Sequence, residues 1–309
     1  MLININFFFS MFNVNCSDHR KKIMDKPSQI VYGSRDASFK NFLTRLFKKS
    51  NLKQKYIQQL LSEENIKIFS NAFTHVSADA QNNYEYLEIL GDVTCNKIIV
   101  WYIKDRFPML CNTEGVKVIA RLRINLVSKK NFSVLSEKLG FGDFISCESE
   151  IKEQKIKSIL EDVFEAFFGA TELLLDNIVS PGAGYSICFR IFKNILDDVP
   201  ISLKYEELYD PITRLKETFD FFRGNQLLWG NMVFENVRTD QGQVVRLYQM
   251  DKLTQRKNLL SIGKAPLLDE AKQKAAENAL ELIEKKGLKK PVSGYYLSLY
   301  DKVENSAVA

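Results

Sequence analysis

The stretch Asn83-Tyr84-Glu85-Tyr86-Leu87-Glu88-Ile89-Leu90-Gly91-Asp92 constrains this chain more than any other. Glu85, Glu88 and Asp92 stand at i, i+3 and i+7, so a helix puts all three carboxylates on one face and Leu87 and Leu90 on another. Three anions on one helical face repel, and a solvated helix relieves this by interleaving Lys or Arg. No basic residue stands between Glu85 and Asp92. A plain solvated face accounts poorly for that pattern, whereas a bound divalent cation resolves it. A second pair, Asp162 and Glu165, lies at i, i+3 inside the apolar run 158–170. Carboxylates in such company are costly to desolvate unless they are paired or hold a metal. Two such helices side by side build an all-oxygen pocket, which suits Mg²⁺ or Mn²⁺ better than zinc or copper.

Composition narrows the class only a little. A chain of 309 residues with 45% hydrophobic content has room for two modest soluble domains. Its formal charge of +5 allows a polyanion partner without demanding one. The five cysteines, at 16, 95, 111, 147 and 188, form no C-x-x-C pair, and His19 and His75 are the only histidines, which argues against a Cys/His zinc site. Their odd number and apolar neighbours predict reduced, buried thiols, and with them a cytoplasmic location. The run Phe7-Phe8-Phe9 is too short to span a bilayer, and Arg20-Lys21-Lys22 follow it instead of preceding it as in a signal peptide. No membrane association is expected. An organelle-targeting leader and an upstream-extended start, with Met11 or Met24 opening the functional chain, both stay open.

Periodicity divides the chain as follows: a poorly ordered extension over 1–35, an all-α domain over 36–198, a linker over 199–209, a small α+β domain over 210–288 and a tail over 289–309. An amphipathic helix with a basic outer face is expected from Phe39, followed by helices from Lys55 and Ile66. The acidic helix should run from Tyr84 to Asp105 and stop before Pro108. Further helices are expected over 114–130 and 132–139, then a polar loop over 147–154, the second acidic helix, and a closing helix over 187–196. Arg121 and Arg123 are available for phosphates or for neighbouring carboxylates. No strand pattern is present before about residue 225. Beyond it, Asp210 and Pro211 open a helix, 232–238, 244–250 and 258–263 alternate as strands with Asp240-Gln241-Gly242 as the first turn, and a last helix spans 266–286.

Phe73-Thr74-His75-Val76-Ser77 followed by the acidic stretch resembles the signature of the ribonuclease III family. Arg106-Phe107-Pro108, Glu114-Gly115, the run from Arg121 to Val127, and the segment 158–166 follow in that family's order and approximate spacing. The resemblance covers about residues 50 to 178. The helix, three strands, helix order after 210 resembles a double-stranded-RNA-binding domain, with 271–280 matching its last helix. Together they imply an endonuclease that cleaves double-stranded RNA to 5′-phosphate and 3′-hydroxyl ends. The resemblance also implies that Glu88, Asp92, Asp162 and Glu165 hold the metal, Mg²⁺ with Mn²⁺ as substitute. Glu85 and Glu114 lie near the cleavage site in support, and His75 buttresses the acidic helix. One acidic site cuts one strand, so a homodimer is expected.

The chain departs from the family pattern at three places. Ile89 replaces a Phe that inserts into the partner subunit, and Glu161 replaces an Ala beside the site. Leu268 and Asp269 replace a basic pair at the start of the last helix, leaving Lys264, Lys272 and Lys274 as candidate RNA contacts. Three alternatives use the same features. A structural relative would dispense with the carboxylates, yet all six are present. A small-nucleotide phosphohydrolase would not need the C-terminal domain, and a pure RNA-sequestering protein would not need the acidic helices.

Overall fold

Local sequence chemistry accounts for most elements of the computed structural model, which describes residues 29–225, 229–239 and 242–299. A two-residue strand, β1 (Ile30–Val31), precedes α1 (Ala37–Lys49). Asp36 caps α1 by accepting from the Ser38 N–H at 2.7 Å, and Phe39, Phe42, Leu43, Leu46 and Phe47 form its buried strip. α2 (Gln54–Leu60) and α3 (Asn65–Ala72) follow as the periodicity predicts. α4 runs from Glu85 to Arg106, with Glu85 and Glu88 in its first turn and Lys104 and Arg106 in its last, the distribution that complements a helix dipole. A 3₁₀ turn at Pro108–Leu110 ends the run.

Downstream, several boundaries differ from what periodicity predicts, including the closing helix, which starts at Ala183 and not at 187. The helix expected over 114–130 stops at Leu126 (α5, Gly115–Leu126) and restarts as α6 (Lys129–Leu139). Ser128 between them is extended, and its hydroxyl caps α6 by accepting from the Asn131 N–H. The stretch 147–154, expected as a loop, is β2 (Cys147–Glu148) running straight into α7 (Ser149–Ile178), a helix kinked at Lys155. β2 pairs antiparallel with β1, so the domain expected to be wholly helical carries a short ribbon. Two residues per strand are too few to leave an alternating pattern. Residues 30–35, which the sequence leaves outside the fold, thus belong to it. The Arg35 guanidinium reinforces the tie by donating to the Phe144 carbonyl at 2.6 Å and the Ser70 hydroxyl at 2.7 Å. The rest of the expected N-terminal extension lies outside the described residues.

α7 is the axis of this unit. Residues 163–171 are buried on every side, and Phe132, Phe141, Phe164, Phe167, Phe168 and Phe192 pack fully buried around it. Each such ring contributes roughly 1.5–3 kcal/mol of transfer free energy. α8 (Ala183–Asp197) closes one side, with Phe192 stacked on Phe168 at 5.0 Å. α4 crosses α7 in backbone contact. A Cβ on Gly91 would lie 1.8 Å from the Glu165 carbonyl oxygen, and one on Gly169 would lie 2.0 Å from the Leu87 carbonyl oxygen.

The C-terminal unit has its own core. Asp210 caps α10 (Pro211–Asn225) by accepting from the Thr213 N–H at 3.0 Å. β3 (Trp229–Thr239), β4 (Gly242–Asp251) and β5 (Lys257–Ala265) form an antiparallel sheet in that order. Of the expected first turn, Asp240 and Gln241 lie outside the described residues. α11 (Leu268–Lys285) starts two residues later than expected, because Leu267 is still extended. It covers the sheet through Ala271, Ala275, Ala276 and Ala279, which meet Leu215, Phe219, Val245 and Leu247.

The stretches expected as linker and tail are packed where they are described. α9 (Tyr205–Leu208) lies in the first, with Leu203 and Leu208 in the larger core. From the tail, Leu299 is buried in that same core, and the Tyr296 hydroxyl shares a 2.7 Å hydrogen bond with that of Tyr209. Cys95, Cys147 and Cys188 are free and buried as expected, but Cys111 is exposed; Cys16 lies outside the described residues. No helix among the described residues is long and apolar enough to cross a membrane.

The crossing makes a stability prediction. Gly169→Ala should destabilise by on the order of 1–3 kcal/mol or more in a urea melt, since backbone must move to admit the methyl group. Gly142→Ala, where nothing lies within 4 Å, should be near neutral. Equal midpoints for the two variants would show that the helices do not touch as described.

Candidate active site

The crossing of α4 and α7 decides which side chains meet. Gly91 lies against the Glu165 carbonyl, and it sits in sequence between Glu88 and Asp92. One turn earlier on α7 come Glu161 and Asp162. Five carboxylates therefore share the junction, four of them predicted from sequence as ligands, with Glu85 at the first position of α4.

Their electrostatics follow from burial and mutual repulsion. Glu165 is only 7% exposed and accepts no hydrogen bond among the described residues. Burial first, then the charges of Asp92, Glu161, Glu88 and Asp162, push its carboxyl up to about 9. Glu88 is pushed up to about 7 by burial, and then by Asp162, Glu161 and Glu85. Burial also raises Asp162, while the Tyr84 hydroxyl donates to it at 2.9 Å and opposes that shift. Asp92 accepts from the Asn96 side-chain amide at 2.7 Å, and Asn96 in turn accepts from Arg123 at 3.1 Å. Burial raises Glu161 too, but here Lys129 pairs with it at 2.7 Å.

The flanking residues divide into those the structure brings in and those it does not. His75 accepts at Nδ1 from the Ser77 N–H at 3.0 Å, and its ring meets the edge of Tyr84 at 5.7 Å. Burial lowers its pKa, so the ring is held neutral behind the Tyr84–Asp162 bond. Glu114 stands immediately before α5, on a different element from the five carboxyls of the α4–α7 junction. Arg121 faces away, pairing with Asp210 at 3.5 Å and lying over the Tyr209 ring at 4.5 Å. Tyr84, Asn96 and Lys129 are additions that sequence reasoning missed. Tyr84 and Asn96 carried a faint signal, since each lies within four residues of a predicted ligand. Lys129 carried none, being 32 residues from Glu161 in sequence.

As a donor set the cluster suits a hard divalent cation: all oxygen, rich in carboxyl groups, and including one buried carboxyl with no other partner. Among the described residues, no three acidic, His or Cys side chains are already drawn to a single point that could hold an ion. The backbone places the carboxylates on facing strips, and Asn96, Tyr84 and Lys129 hold three of them.

Comparison with known proteins agrees with this anatomy. The Ribonuclease III domain model matches residues 85–176, from the first carboxylate of α4 to near the end of α7. A protein named as a ribonuclease 3 in Invertebrate iridescent virus 6 is 36% identical over 269 residues, covering 83% of this chain and 91% of its own. The chain belongs to the ribonuclease III family. Its similarity to a protein of the same description in Frog virus 3 (isolate Goorha) is 37% over 211 residues, covering 66% of this chain and 56% of that one. A solved nuclease domain of the family, from Campylobacter jejuni, is 26% identical with a TM-score of 0.40, covering 52% of this chain and 99% of that one.

The shifted carboxyls give a pH signature in metal-free protein. A carboxyl raised by folding stabilises fully below its unfolded value, and that contribution is lost as pH rises towards its folded value, here across about 4.5 to 9. Glu165→Gln removes the ionisation. In chelator-treated protein the variant's melting temperature should match the parent at pH 5 and exceed it at pH 9, on the order of 5 °C. A constant difference across that range would contradict the burial of Glu165.

Proposed function

We propose that this chain is a divalent-metal-dependent endoribonuclease that hydrolyses both strands of duplex RNA, leaving 5′-phosphate and 3′-hydroxyl ends. The observation that carries this reading is Glu165, a buried carboxylate with no donor, set among four others where two helices touch. Glu88, Asp92, Asp162 and Glu165 would hold the cation, Mg²⁺ or Mn²⁺. When bound, a hard divalent cation acidifies a coordinated water and offsets charge building on the phosphate. The chain's own contribution is orientation. Tyr84 fixes the Asp162 carboxylate, Asn96 fixes Asp92, and neutral His75 packs behind Tyr84. Glu85 stands exposed at the mouth in a supporting role.

The C-terminal unit supports a duplex substrate, because its α-β-β-β-α order is that of a double-stranded-RNA-binding domain and such domains read shape. Lys264 and Lys274 are exposed and Lys272 is half-buried, which makes them the proposed phosphate contacts. Asp269 and Glu270 occupy the first turn of α11, where they complement the dipole and weaken its attraction for phosphate.

Assembly follows from α4. Tyr86, Ile89 and Val93 are 64%, 65% and 65% exposed and lie on one strip of that helix beside the carboxylates. An exposed apolar strip of this kind marks an interface. A second copy of the chain would cover it and supply the second active site that double-strand cleavage needs.

With Mg²⁺ the purified protein should cleave long duplex RNA, and EDTA should abolish cleavage. Glu165→Gln should lower turnover by more than the roughly 10–100-fold that loss of a residue merely supporting a metal ligand costs, while RNA retention in a gel-shift assay survives. Unchanged turnover at low Mg²⁺ would remove Glu165 from the site. Ile89→Asp should shift light scattering from dimer to monomer and convert double-strand cuts to nicks. A wild-type monomer at micromolar concentration that still cuts both strands would sink the dimer.

A further inference from the structure

Lys129 and Glu161 face each other from α6 and α7 at the edge of the carboxylate cluster, and neither has a part in the function proposed above. The Lys129 ammonium lies 2.7 Å from the Glu161 carboxylate and 3.2 Å from the Ser158 hydroxyl. Its base is fixed, because the Ser128 hydroxyl caps α6 immediately before it. The two partners differ in exposure: the Glu161 side chain is 15% exposed, whereas that of Lys129 is 55% exposed.

The pair is neutral as a whole, so it does little to relieve repulsion among Glu88, Asp92, Asp162 and Glu165. What it adds is an oriented charge, with the anion tucked in and the cation at the rim. An ammonium has three donors; Lys129 donates to Ser158 and lies in ion-pair contact with Glu161, which leaves a donor for a further anion. Arg121 is turned away to Asp210 and Tyr209, and Arg123 is held by Asn96, which in turn bonds Asp92. We infer that Lys129 is a substrate-contacting group that meets an RNA phosphate oxygen beside the cleaved bond, and that Glu161 is the positioning residue that aims it. The inference rests on the nuclease reading. A fixed cation facing charge that grows in the transition state stabilises it without reorganisation, and in the ground state it neutralises one phosphate.

A double-mutant cycle in the full-length protein separates this role from simple neutralisation of Glu161. Single-turnover cleavage of duplex RNA at saturating Mg²⁺ should fall on the order of 100-fold in Lys129→Ala and recover in part in Lys129→Arg. Glu161→Ala, which leaves the cation present but unaimed, should fall less. The double variant should be as slow as Lys129→Ala alone. A double variant as fast as Glu161→Ala would overturn the inference, since Lys129 would then matter only as a counter-ion. Binding in EDTA supplies a readout that needs no turnover: Lys129→Ala should flatten the salt dependence of duplex affinity by about one unit or less, and an unaltered slope would count against contact. Failure of the unmodified protein to cut duplex RNA would instead remove the nuclease reading, and the binding measurement would still decide whether Lys129 touches RNA.

Discussion

The contact between the backbones of α4 and α7 is the constraint on which the rest of this structure depends. Gly91 and Gly169 each leave room for the other helix's carbonyl oxygen, and a methyl group at either position would overlap it. Glycine inside a helix costs roughly 0.5–1 kcal/mol relative to alanine. That cost is offset by a crossing close enough to bring carboxylates from two helices into one volume. Larger residues would hold the helices at the usual 8–10 Å separation and leave Glu165 facing packed side chains.

The same closeness makes the unliganded site expensive. Burying Glu165 beside four anions holds it protonated well above the usual carboxylate range, and Glu88 is held near neutrality. The phenylalanine-rich core around α7 stabilises the fold enough to tolerate this. Three carboxylates have partners that set their orientation without removing their charge: Tyr84 for Asp162, Asn96 for Asp92 and Lys129 for Glu161. Glu165 has none, so it gains most from a cation.

A second set of contacts joins the two units. Arg121 on α5 pairs with Asp210 at the cap of α10 and stacks on Tyr209, while the Asn125 side chain donates to the Leu208 carbonyl at 3.0 Å. Beyond α11, Lys290 pairs with Glu217, which also accepts from the Tyr205 hydroxyl at 2.5 Å. Tyr296 then closes on Tyr209. Tyr205, Leu208, Tyr209, Lys290 and Tyr296 lie in segments with the composition of a linker and a tail, yet they help pack both units against each other.

Much of this was legible in the sequence, for identifiable reasons. Helical periodicity placed α1 to α4, because buried positions recur every three or four residues and Pro108 ends the last of them. The i, i+3, i+7 spacing put Glu85, Glu88 and Asp92 on one face, and the absence of lysine among them announced an unusual site. Alternation found the three strands, and Asp210-Pro211 found the start of α10. The two-residue ribbon β1–β2 and the break at Ser128 stayed hidden, since backbone pairing and a single hydroxyl cap leave almost no periodic trace. The sequence by itself determined which carboxylates exist and which share a helix. Only the tertiary structure decided that Gly91 meets Glu165, that Arg121 turns towards Asp210, and that Lys129 reaches Glu161. Those pairings are set by where two helices cross and by which side chains the crossing leaves room for, and spacing along one chain carries no measure of either.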